Sequence, residues 1–430
     1  MKKFLTLAIF FSITTITNAQ TTDSLMLSHP KWMASSYAVY PDPPKDYKMT
    51  KAPAGYKPFY LSHYGRHGSR YHYSKEDYQM LYDTFAKADS LNALSEFGKD
   101  VLKRFDRLNQ FAGPRAGDLT EKGAEQHKKI ANRMYKNFPE IFKGKAQIDV
   151  VASTSTRCIM SMSAATGELR SLNPKLEIHQ ESSKRLMHYI SPFDFKYTSE
   201  YAQTKEWQAE NDKLYKNVNP DRILNALFNP DYIQKNINKS EFYTKLYEIS
   251  SSVQGMTEGA EDFGDLWTKE ELLYRWKAQN AWWYSVLGNC PLTGNRGITF
   301  AKPLLKQIMI DMQSAIETKK ISAHLRYGHD TAILPLAGLM QLSIAGANTK
   351  DIENLHTQWT DFKIIPMAAN LQIILYKSAK KDEPILVKFL YNEIEVTAPI
   401  SCSATNEKKC PAAPYYRLDD VIAFFEKAIN

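Results

Sequence analysis

The sequence predicts an α/β protein in which a mixed central sheet is flanked by helices and a mainly helical cap domain is inserted. Three apolar segments, at 59–61, 147–152 and 321–327, have the composition of buried strands, and helical periodicity follows each of them. Residues 183–295 show several helical patterns and no strand-like alternation. The length of 430 residues exceeds what one compact core needs, so we expect two domains.

These changes of pattern give the domain boundaries. We expect a discontinuous α/β core of residues 20–182 and 296–430, and a helical cap of residues 183–295. Residues 20–58 contain many prolines and little periodicity. We interpret them as an irregular arm laid over the core.

The first 19 residues have the composition of a secretory signal peptide. Lys2 and Lys3 form a basic start, an apolar run covers residues 4–13, and Ala19 is a small residue at the expected cleavage position. The apolar run is too short, and too interrupted by hydroxyl residues, for a membrane anchor, and no later run is long enough to span a bilayer. We therefore expect an exported protein, periplasmic or secreted, with no stable membrane insertion.

The strand at 59–61 leads into a charged loop, Arg66-His67-Gly68-Ser69-Arg70. Two guanidinium groups can each hold the oxygens of a phosphate dianion in a bidentate fashion. A neutral imidazole between them can attack phosphorus and form a phospho-enzyme. Gly68 allows a sharp turn without a side chain beside the phosphate. The loop therefore predicts a phosphate monoester site with His67 as the nucleophile.

Helical spacing of apolar residues follows the loop from Lys75 to about Asn109. A second helix is expected to begin after Thr120, a suitable N-cap, and to end at Phe138, before a proline. We interpret His127 as an exposed residue of that helix.

The second strand, at 147–152, ends in a hydroxyl-rich turn, and Arg157 follows at the start of a helix. The first-turn amides and the guanidinium group would point in the same direction, toward an anion. The alternative is that Arg157 is an ordinary solvated residue at a helix start.

The third strand, at 321–327, follows a helix at 300–318 and leads into Gly328-His329-Asp330-Thr331, before another helical pattern at 332–342. His329 could donate to a phosphate oxygen. Asp330 could give a proton to the leaving oxygen of the ester and later act as a base toward water. Segments 370–376 and 385–391 predict two more strands, an antiparallel pair at the sheet edge, and residues 416–429 predict a closing amphipathic helix.

The charge balance suits an anionic substrate. Removal of residues 1–19 takes away two lysines and no acidic residue, so the net charge falls from +8 to +6. No dense stripe of Lys and Arg is present, which argues against a nucleic-acid partner. No Cys/His spacing indicates zinc, and the chemistry above requires neither a metal nor a cofactor.

The four cysteines suggest at most two disulfides in an exported protein. Cys402 and Cys410 bracket a polar loop and are expected to pair. Cys158 and Cys290 could pair with each other or remain two buried thiols.

The loop of residues 66–70 resembles the signature of the histidine acid phosphatases, whose fold is phosphoglycerate-mutase-like, and Gly328-His329-Asp330-Thr331 resembles the second half of that signature. The resemblance implies a metal-independent phosphatase that works through a phosphohistidine. It assigns catalysis to His67 and Asp330, and it adds a third phosphate-binding arginine, Arg157. The complete expected set of phosphate-binding residues is Arg66, Arg70, Arg157 and His329.

Two further segments resemble one branch of that family. The acidic, aromatic turn at 261–267 and the context at 325–336 are similar to the multiple inositol polyphosphate phosphatases. Those enzymes carry His-Ala-Glu at the acid position, whereas His329-Asp330 is the pattern of phytases and general acid phosphatases. The expected substrate is an inositol polyphosphate such as phytate. The alternatives are a broad acid phosphatase for sugar or nucleotide monoesters, and an inactive polyanion-binding protein with the same fold.

Overall fold

The computed structural model describes residues 22–194, 204–380, 382–404 and 410–430. The expected signal peptide, residues 1–19, lies outside them. Among the described residues, no helix combines the length and the apolar character needed to cross a bilayer.

A mixed sheet forms the centre of the molecule, as the sequence predicts. Its strands are, in chain order, β1 (Tyr56–Arg66), β2 (Gln147–Ala152), β3 (Glu177–Ser182), β4 (Ile321–Gly328), β5 (Asn370–Ser378), β6 (Leu386–Tyr391), β7 (Ile394–Val396) and β8 (Tyr415–Arg417). The spatial order is β3-β2-β4-β1-β5-β6-β7, and β8 pairs with β6. The first four strands of that order are parallel, and the remaining pairings are antiparallel.

The strand predictions differ from the structure in the place of β5 and in three strands that were not predicted: β3 and the three-residue strands β7 and β8. The pair β5 and β6 is antiparallel as expected, but β5 lies beside β1 within the sheet, and β7 forms the edge. Strand β3 had no sequence signal because it is an edge strand of mostly polar residues, half-buried or exposed along its length.

Helices cover the sheet and build a further layer. The longer helices include α1 (Lys75–Ser90), α2 (Glu96–Ala112), α3 (Glu121–Asn137), α4 (Thr156–Leu172), α5 (Lys205–Tyr215), α6 (Asp221–Leu227), α7 (Pro230–Asn236), α8 (Lys239–Ser252), α9 (Lys269–Leu287), α10 (Lys302–Thr318), α11 (Asp330–Leu339) and α12 (Leu418–Ile429). The helix starts follow capping chemistry: Thr120 accepts a hydrogen bond from the Gly123 amide, as predicted, and Ser95 accepts one from the Gly98 amide.

The single helical run expected between Lys75 and Asn109 is two helices, α1 and α2. The break lies at Asn92, which has a left-handed backbone with φ of 52°. Asparagine tolerates that conformation better than most residues, and Ser95 then caps the second helix.

Apolar residues pack on both faces of the sheet. Side chains alternate between the two faces along β1. Tyr60 and Tyr64 therefore lie in the apolar cluster on one face of the sheet, and Leu61 lies in the cluster on the other face. The first cluster includes Leu304 of α10 and Ile333 of α11, and the second is lined by α3 and α4. Strands β1 and β4, at the middle of the sheet, are therefore packed against apolar side chains on both faces.

A third apolar cluster joins helices from both sides of the expected boundary at residue 183. Phe85 of α1 packs against Phe105 of α2, with ring centroids 5.5 Å apart, and against Phe228 after α6, at 5.0 Å. Helix α9 contributes Ala281 and Tyr284 to the first cluster of the sheet. Helices α1 and α2, which the sequence assigned to the core, thus pack with helices of the expected cap. The division into core and cap remains a prediction.

The acidic turn at 261–267 is fixed to α2. Arg104 lies 2.8 Å from Asp265, Arg107 lies 2.8 Å from Glu261, and Phe263 packs on Phe105. These contacts tie the turn to the third cluster through buried Phe263, while Asp262 and Asp265 remain exposed at the surface.

Cys402 and Cys410 form a disulfide, as expected. Cys158 and Cys290 are both buried and unbonded, so the second of the two alternatives for that pair is correct.

Candidate active site

Three loops meet at one edge of the sheet. Strand β4 lies between β1 and β2, with Arg66 opposite Gly328 and Ala152 opposite Tyr327 in parallel register. Because parallel strands end at the same edge, the residues that follow them share a cleft. The sequence-predicted site residues lie at the ends of these strands, in the loops that follow them, or in the first turn of the next helix.

His67 is buried, and its imidazole is oriented by its own loop. The Nδ1 atom lies 2.9 Å from the carbonyl oxygen of Gly68. A carbonyl can only accept, so Nδ1 carries the proton and the lone pair is on Nε2. Burial, followed by the charges of Arg157 and Arg66, holds the pKa of His67 well below its usual value. The ring is therefore neutral and its Nε2 is available as a nucleophile.

The backbone of the loop is held tightly by α3 and α4. The Gly68 amide donates to Ser161 Oγ at 3.1 Å, and the Ser69 amide donates to Gln126 Oε1 at 2.8 Å. A Cβ atom on Gly68 would lie 2.3 Å from the carbonyl oxygen of Gly123. Glycine at position 68 is thus required by the close approach of the two backbones.

Arg66 is completely buried, with its guanidinium group oriented from two sides. Nη1 donates to the carbonyl oxygens of Ser36, at 2.6 Å, and Ile365, at 2.5 Å. Nη2 lies 2.6 Å from Oδ2 of Asp330. Burial lowers the pKa of Arg66 to about 10, although Asp330 opposes the shift, so the group stays cationic at neutral pH.

Arg70 is held by aromatic rings rather than by acids. Its guanidinium carbon lies 5.1 Å from the ring centroid of Tyr37 and 5.5 Å from that of Tyr73. Its Nη1 donates to the carbonyl oxygen of Tyr71 at 3.0 Å. The ring contacts favour one plane of the guanidinium group without neutralising its charge.

Arg157 and His329 lie against each other across the loops that follow β2 and β4. Nη2 of Arg157 is 3.5 Å from Nδ1 of His329, and Nε2 of His329 is 2.9 Å from Oγ of Ser153. Because a guanidinium group only donates, the contact favours Nδ1 of His329 as the acceptor. Burial and the charge of Arg157 lower the pKa of His329 to about 4, so its ring is also neutral.

The rings of His67 and His329 meet edge-on, with centroids 5.7 Å apart. In the described part of the chain, the Nε atoms of Arg66, Arg70 and Arg157 are buried and have no hydrogen-bond partner. Unsatisfied buried donors are costly, so three of them on neighbouring arginines are a feature that a bound anion would help to explain. The structure thus brings the predicted histidines and arginines into one positive cleft.

Asp330 begins α11 at the same edge. Its Oδ1 accepts the Thr331 amide at 2.8 Å, and its Oδ2 contacts Arg66. Burial alone raises the pKa of Asp330, but the charges of Arg66 and Arg70 contribute to a net shift below its usual value. Asp330 is therefore ionised in the free protein at neutral pH.

The prediction that His127 is exposed is wrong. His127 is buried, its ring packs edge-on against Tyr327 at 5.4 Å, and burial lowers its pKa to about 3. It belongs to the face of α3 that packs under the loop of residues 66–70. The spacing from Gly123 through His127 to Ile130 was a helical signal for that face.

Sequence reasoning also missed two residues of the arm. Ser36 and Tyr37 contact Arg66 and Arg70, but they lie about 30 residues before them in the arm. The expectation that the arm is irregular is wrong for this stretch, because Pro30–Tyr37 form a 3-10 helix, and proline is favoured in the first turn of a helix. No periodicity or motif marks such contacts, so the sequence held no signal for them.

One group among the described residues has donor atoms spaced closely enough for a metal ion: His72, Asp77 and Glu248. The ammonium group of Lys245 lies 3.0 Å from Asp77 and 3.4 Å from Glu248. A cation thus already neutralises these carboxylates, and nothing in the structure points to a metal there.

Comparison with known proteins agrees with this architecture. The family model of the histidine phosphatase superfamily, branch 2, matches residues 65–392, which is more than half of the chain. A search of curated proteins gave no match.

Solved structures with the same fold include three phosphatases. A multiple inositol polyphosphate phosphatase of Bifidobacterium longum, in complex with inositol hexasulfate, is 18% identical, with a TM-score of 0.76 over 91% of this chain and 97% of that chain. The phytase from D. castellii is 16% identical, with a TM-score of 0.70 over 93% and 85%. A Hafnia alvei phytase in complex with tartrate is 15% identical, with a TM-score of 0.54 over 88% and 98%. The chain is a phosphoric monoester hydrolase and belongs to branch 2 of the histidine phosphatase superfamily.

Proposed function

We propose that this protein hydrolyses phosphate monoesters through a phosphohistidine at His67, and that its substrates are inositol polyphosphates such as phytate. The observation that carries the proposal is the convergence of a neutral imidazole with three guanidinium groups whose Nε donors are unpaired. The non-catalytic alternative, a polyanion-binding protein, needs the arginines but has no use for an oriented nucleophile.

In the first step, the phosphoryl group of the ester lies between Arg66, Arg70 and Arg157. The lone pair on Nε2 of His67 forms a bond to phosphorus as the bond from phosphorus to the ester oxygen breaks. The guanidinium groups stabilise the charge on the transferred oxygens, the role that metal ions serve in other phosphoryl-transfer sites.

The leaving oxygen needs a proton, and Asp330 is the group that delivers it. The free carboxylate is ionised, so it must first gain a proton as substrate binds. A monoanionic phosphate ester carries such a proton. Its negative charge also competes with Asp330 for Arg66, which raises the pKa of Asp330 and favours transfer of the proton to it. In the second step Asp330 takes a proton from water, the water oxygen bonds to phosphorus, and the bond to His67 breaks. Asp330 then gives this proton to the departing phosphate, so inorganic phosphate leaves as the monoanion and the enzyme with an ionised Asp330 is restored.

The inositol polyphosphate assignment draws on the comparisons. The B. longum structure holds inositol hexasulfate, and two of the other structures are phytases. The sequence of the turn at 261–267 resembles a segment of the inositol polyphosphate phosphatases, and the turn is anchored to α2. The second candidate, a broad acid phosphatase, is favoured by the sequence His329-Asp330, in which the acid follows the histidine directly.

The location and the domain division belong to the proposal as well. Residues 1–19 would direct export to the periplasm or beyond, and residues 183–295 would cover the cleft as a helical cap. The proposed hydrolysis requires neither a metal nor a cofactor, and we propose no nucleic-acid partner.

Phosphate release from phytate and from p-nitrophenyl phosphate tests the function. The wild type should release phosphate from both, with a higher kcat/KM for phytate, and His67→Ala should release none above background. His179→Ala is the control, because His179 is exposed on β3. An inactive wild type would contradict the enzyme assignment. Equal kcat/KM values on both substrates would favour the broad acid phosphatase.

A further inference from the structure

Three consecutive residues of the N-terminal arm, Ser35, Ser36 and Tyr37, connect the active site to a buried carboxylate. The hydroxyl of Ser35 donates to Oδ2 of Asp361. The carbonyl of Ser36 accepts from Nη1 of Arg66 at 2.6 Å. The ring of Tyr37 faces the guanidinium group of Arg70.

Ser35 has a backbone conformation that needs an external restraint. Its φ and ψ are 56° and −130°, a region in which residues with a Cβ atom are strained. The residue is 2% exposed, and its side chain ends on Asp361. Such a conformation persists where surrounding contacts enforce it, and this hydrogen bond is one of those contacts.

Asp361 is fully buried and lies at the centre of these contacts. Its Oδ1 accepts from Trp276 Nε1 at 2.9 Å and from the Phe362 amide at 2.7 Å, while Oδ2 accepts from Ser35. Because Oδ1 is satisfied by α9 and by its own segment, Oδ2 is the atom that holds the arm.

The segment after Asp361 supplies the second carbonyl for Arg66. The Ile365 amide donates to the Asp361 carbonyl at 2.7 Å, and the Ile365 carbonyl accepts from Nη1 of Arg66. The two acceptors that orient Nη1 are therefore both tied to Asp361, one through Ser35 and one through the backbone.

A hydrogen-bond chain continues on the other side of the arm. The hydroxyl of Tyr37 lies 2.8 Å from Nδ1 of His72, and Nε2 of His72 lies 2.7 Å from Asp77. This chain fixes the ring of Tyr37 under Arg70. Displacement of the arm at Ser35 would disturb Arg66 and Arg70 together.

We propose that Asp361 and Ser35 are positioning residues of the active site, which hold residues 35–37 so that Arg66 and Arg70 face the phosphate. The inference rests on the proposed function, in which these guanidinium groups bind the transferred phosphoryl group. Neither residue touches the substrate. Their effect on the reaction is transmitted by the Ser36 carbonyl and the Tyr37 ring.

Three variants test this positioning. Ser35→Ala removes the hydroxyl and leaves the backbone strained, and Ser35→Gly removes the hydroxyl and relieves the strain. Tyr247→Phe is the matched control, because the Tyr247 hydroxyl donates to Met33 of the same arm, outside residues 35–37. The measurements are kcat and KM for p-nitrophenyl phosphate, the dissociation constant of inorganic phosphate by calorimetry, and the midpoint of thermal unfolding.

Both Ser35 variants should lower kcat/KM and weaken phosphate binding by about tenfold to a hundredfold, since small misplacements of catalytic groups have effects of that size. Tyr247→Phe should leave both values within about twofold, whatever its effect on unfolding. Wild-type values in both Ser35 variants would overturn the proposal. Recovery of activity in Ser35→Gly alone would overturn it too, because backbone strain and not the hydrogen bond would then matter. If Tyr247→Phe lowers kcat/KM and phosphate affinity as much as the Ser35 variants do, any loosening of the arm would have this effect. That result would also overturn the proposal.

Failure of the proposed function is separable from these outcomes. If the wild type releases no phosphate from any ester, the enzyme assignment fails. Calorimetry of inorganic phosphate with the same variants still reports whether the hydrogen bond from Ser35 to Asp361 orients the arginines.

Discussion

Oδ2 of Asp330 lies 2.6 Å from Nη2 of Arg66, so the expected proton donor and an expected phosphate ligand form an ion pair in the free protein. A phosphate group that approaches Arg66 must compete with this carboxylate. The pairing therefore links substrate binding to the protonation of Asp330, and the first two predictions depend on that link.

Asp330→Asn should discriminate between leaving groups. An amide cannot give a proton, so we expect kcat for an alkyl phosphate to fall by about a hundredfold to ten-thousandfold. The phosphorylation step with p-nitrophenyl phosphate should change little, because nitrophenolate leaves without a proton. Inorganic phosphate should bind at least as tightly as to the wild type, since the competing charge is gone. Rapid-quench kinetics on both esters measures the difference, and equal losses on the two would argue against Asp330 as the acid.

The activity should fall on the alkaline side of the pH profile. Arg66 and Arg70 help hold the pKa of Asp330 below its usual value, so the free enzyme carries an ionised Asp330 throughout pH 5 to 8. The proton must then arrive with the monoanionic ester, whose second pKa is about 6. We expect kcat/KM for an alkyl phosphate to decrease about tenfold per pH unit above that value. The pKa of His67 lies well below its usual value, so its protonation should not limit activity near pH 5. A profile that stays flat from pH 5 to 8 would contradict this account.

Gly68 should not tolerate even one methyl group. The Cβ atom of Gly68→Ala would lie 2.3 Å from the Gly123 carbonyl oxygen, so the loop or α3 must move. We expect about 1–3 kcal/mol of destabilisation and a loss of most activity. Gly167→Ala is the matched control, because Gly167 is exposed within α4 and nothing lies within 4 Å of its added Cβ. That change should stabilise the protein by about 0.5–1 kcal/mol and leave kcat/KM unchanged, as urea unfolding and steady-state kinetics would show.

Acid should destabilise the fold through its buried histidines. The pKa of His127 is lowered by burial to about 3, whereas an unfolded histidine titrates near 6.5. Between these values the unfolded chain binds a proton that the folded chain does not, so stability falls as pH falls, by about 1.4 kcal/mol per pH unit for each such group. His127→Asn should therefore make the free energy of unfolding less dependent on pH between 6 and 4. His179→Asn, an exposed control, should leave the slope as in the wild type, and an unchanged slope in His127→Asn would contradict the burial argument.

Much of the site could be predicted because its residues follow strands. Arg66, Arg157 and Asp330 each come soon after a buried apolar segment, and parallel strands place such residues at one edge. The sequence therefore contained both the chemistry of these loops and a reason for their proximity. The central sheet and most helix starts follow from the same patterns.

The parts that could not be predicted depend on contacts between distant segments. The Ile365 carbonyl that orients Arg66 lies 299 residues after it, and Ser35 meets Asp361 across 326 residues. No local pattern encodes such pairings. The expectation for His127 failed for another reason: a helix face was visible in its spacing, but a polar residue on that face was assigned to solvent.

The most direct test of the central claim is to isolate the phospho-enzyme. Asp330→Asn should slow hydrolysis of the intermediate more than its formation from p-nitrophenyl phosphate, because it lacks the base for water. Acid-free quenching and peptide mass spectrometry should then find one phosphoryl group per protein, on His67, with a matching burst of nitrophenolate. A phosphoryl group on any other residue, or turnover with no covalent intermediate, would contradict the account.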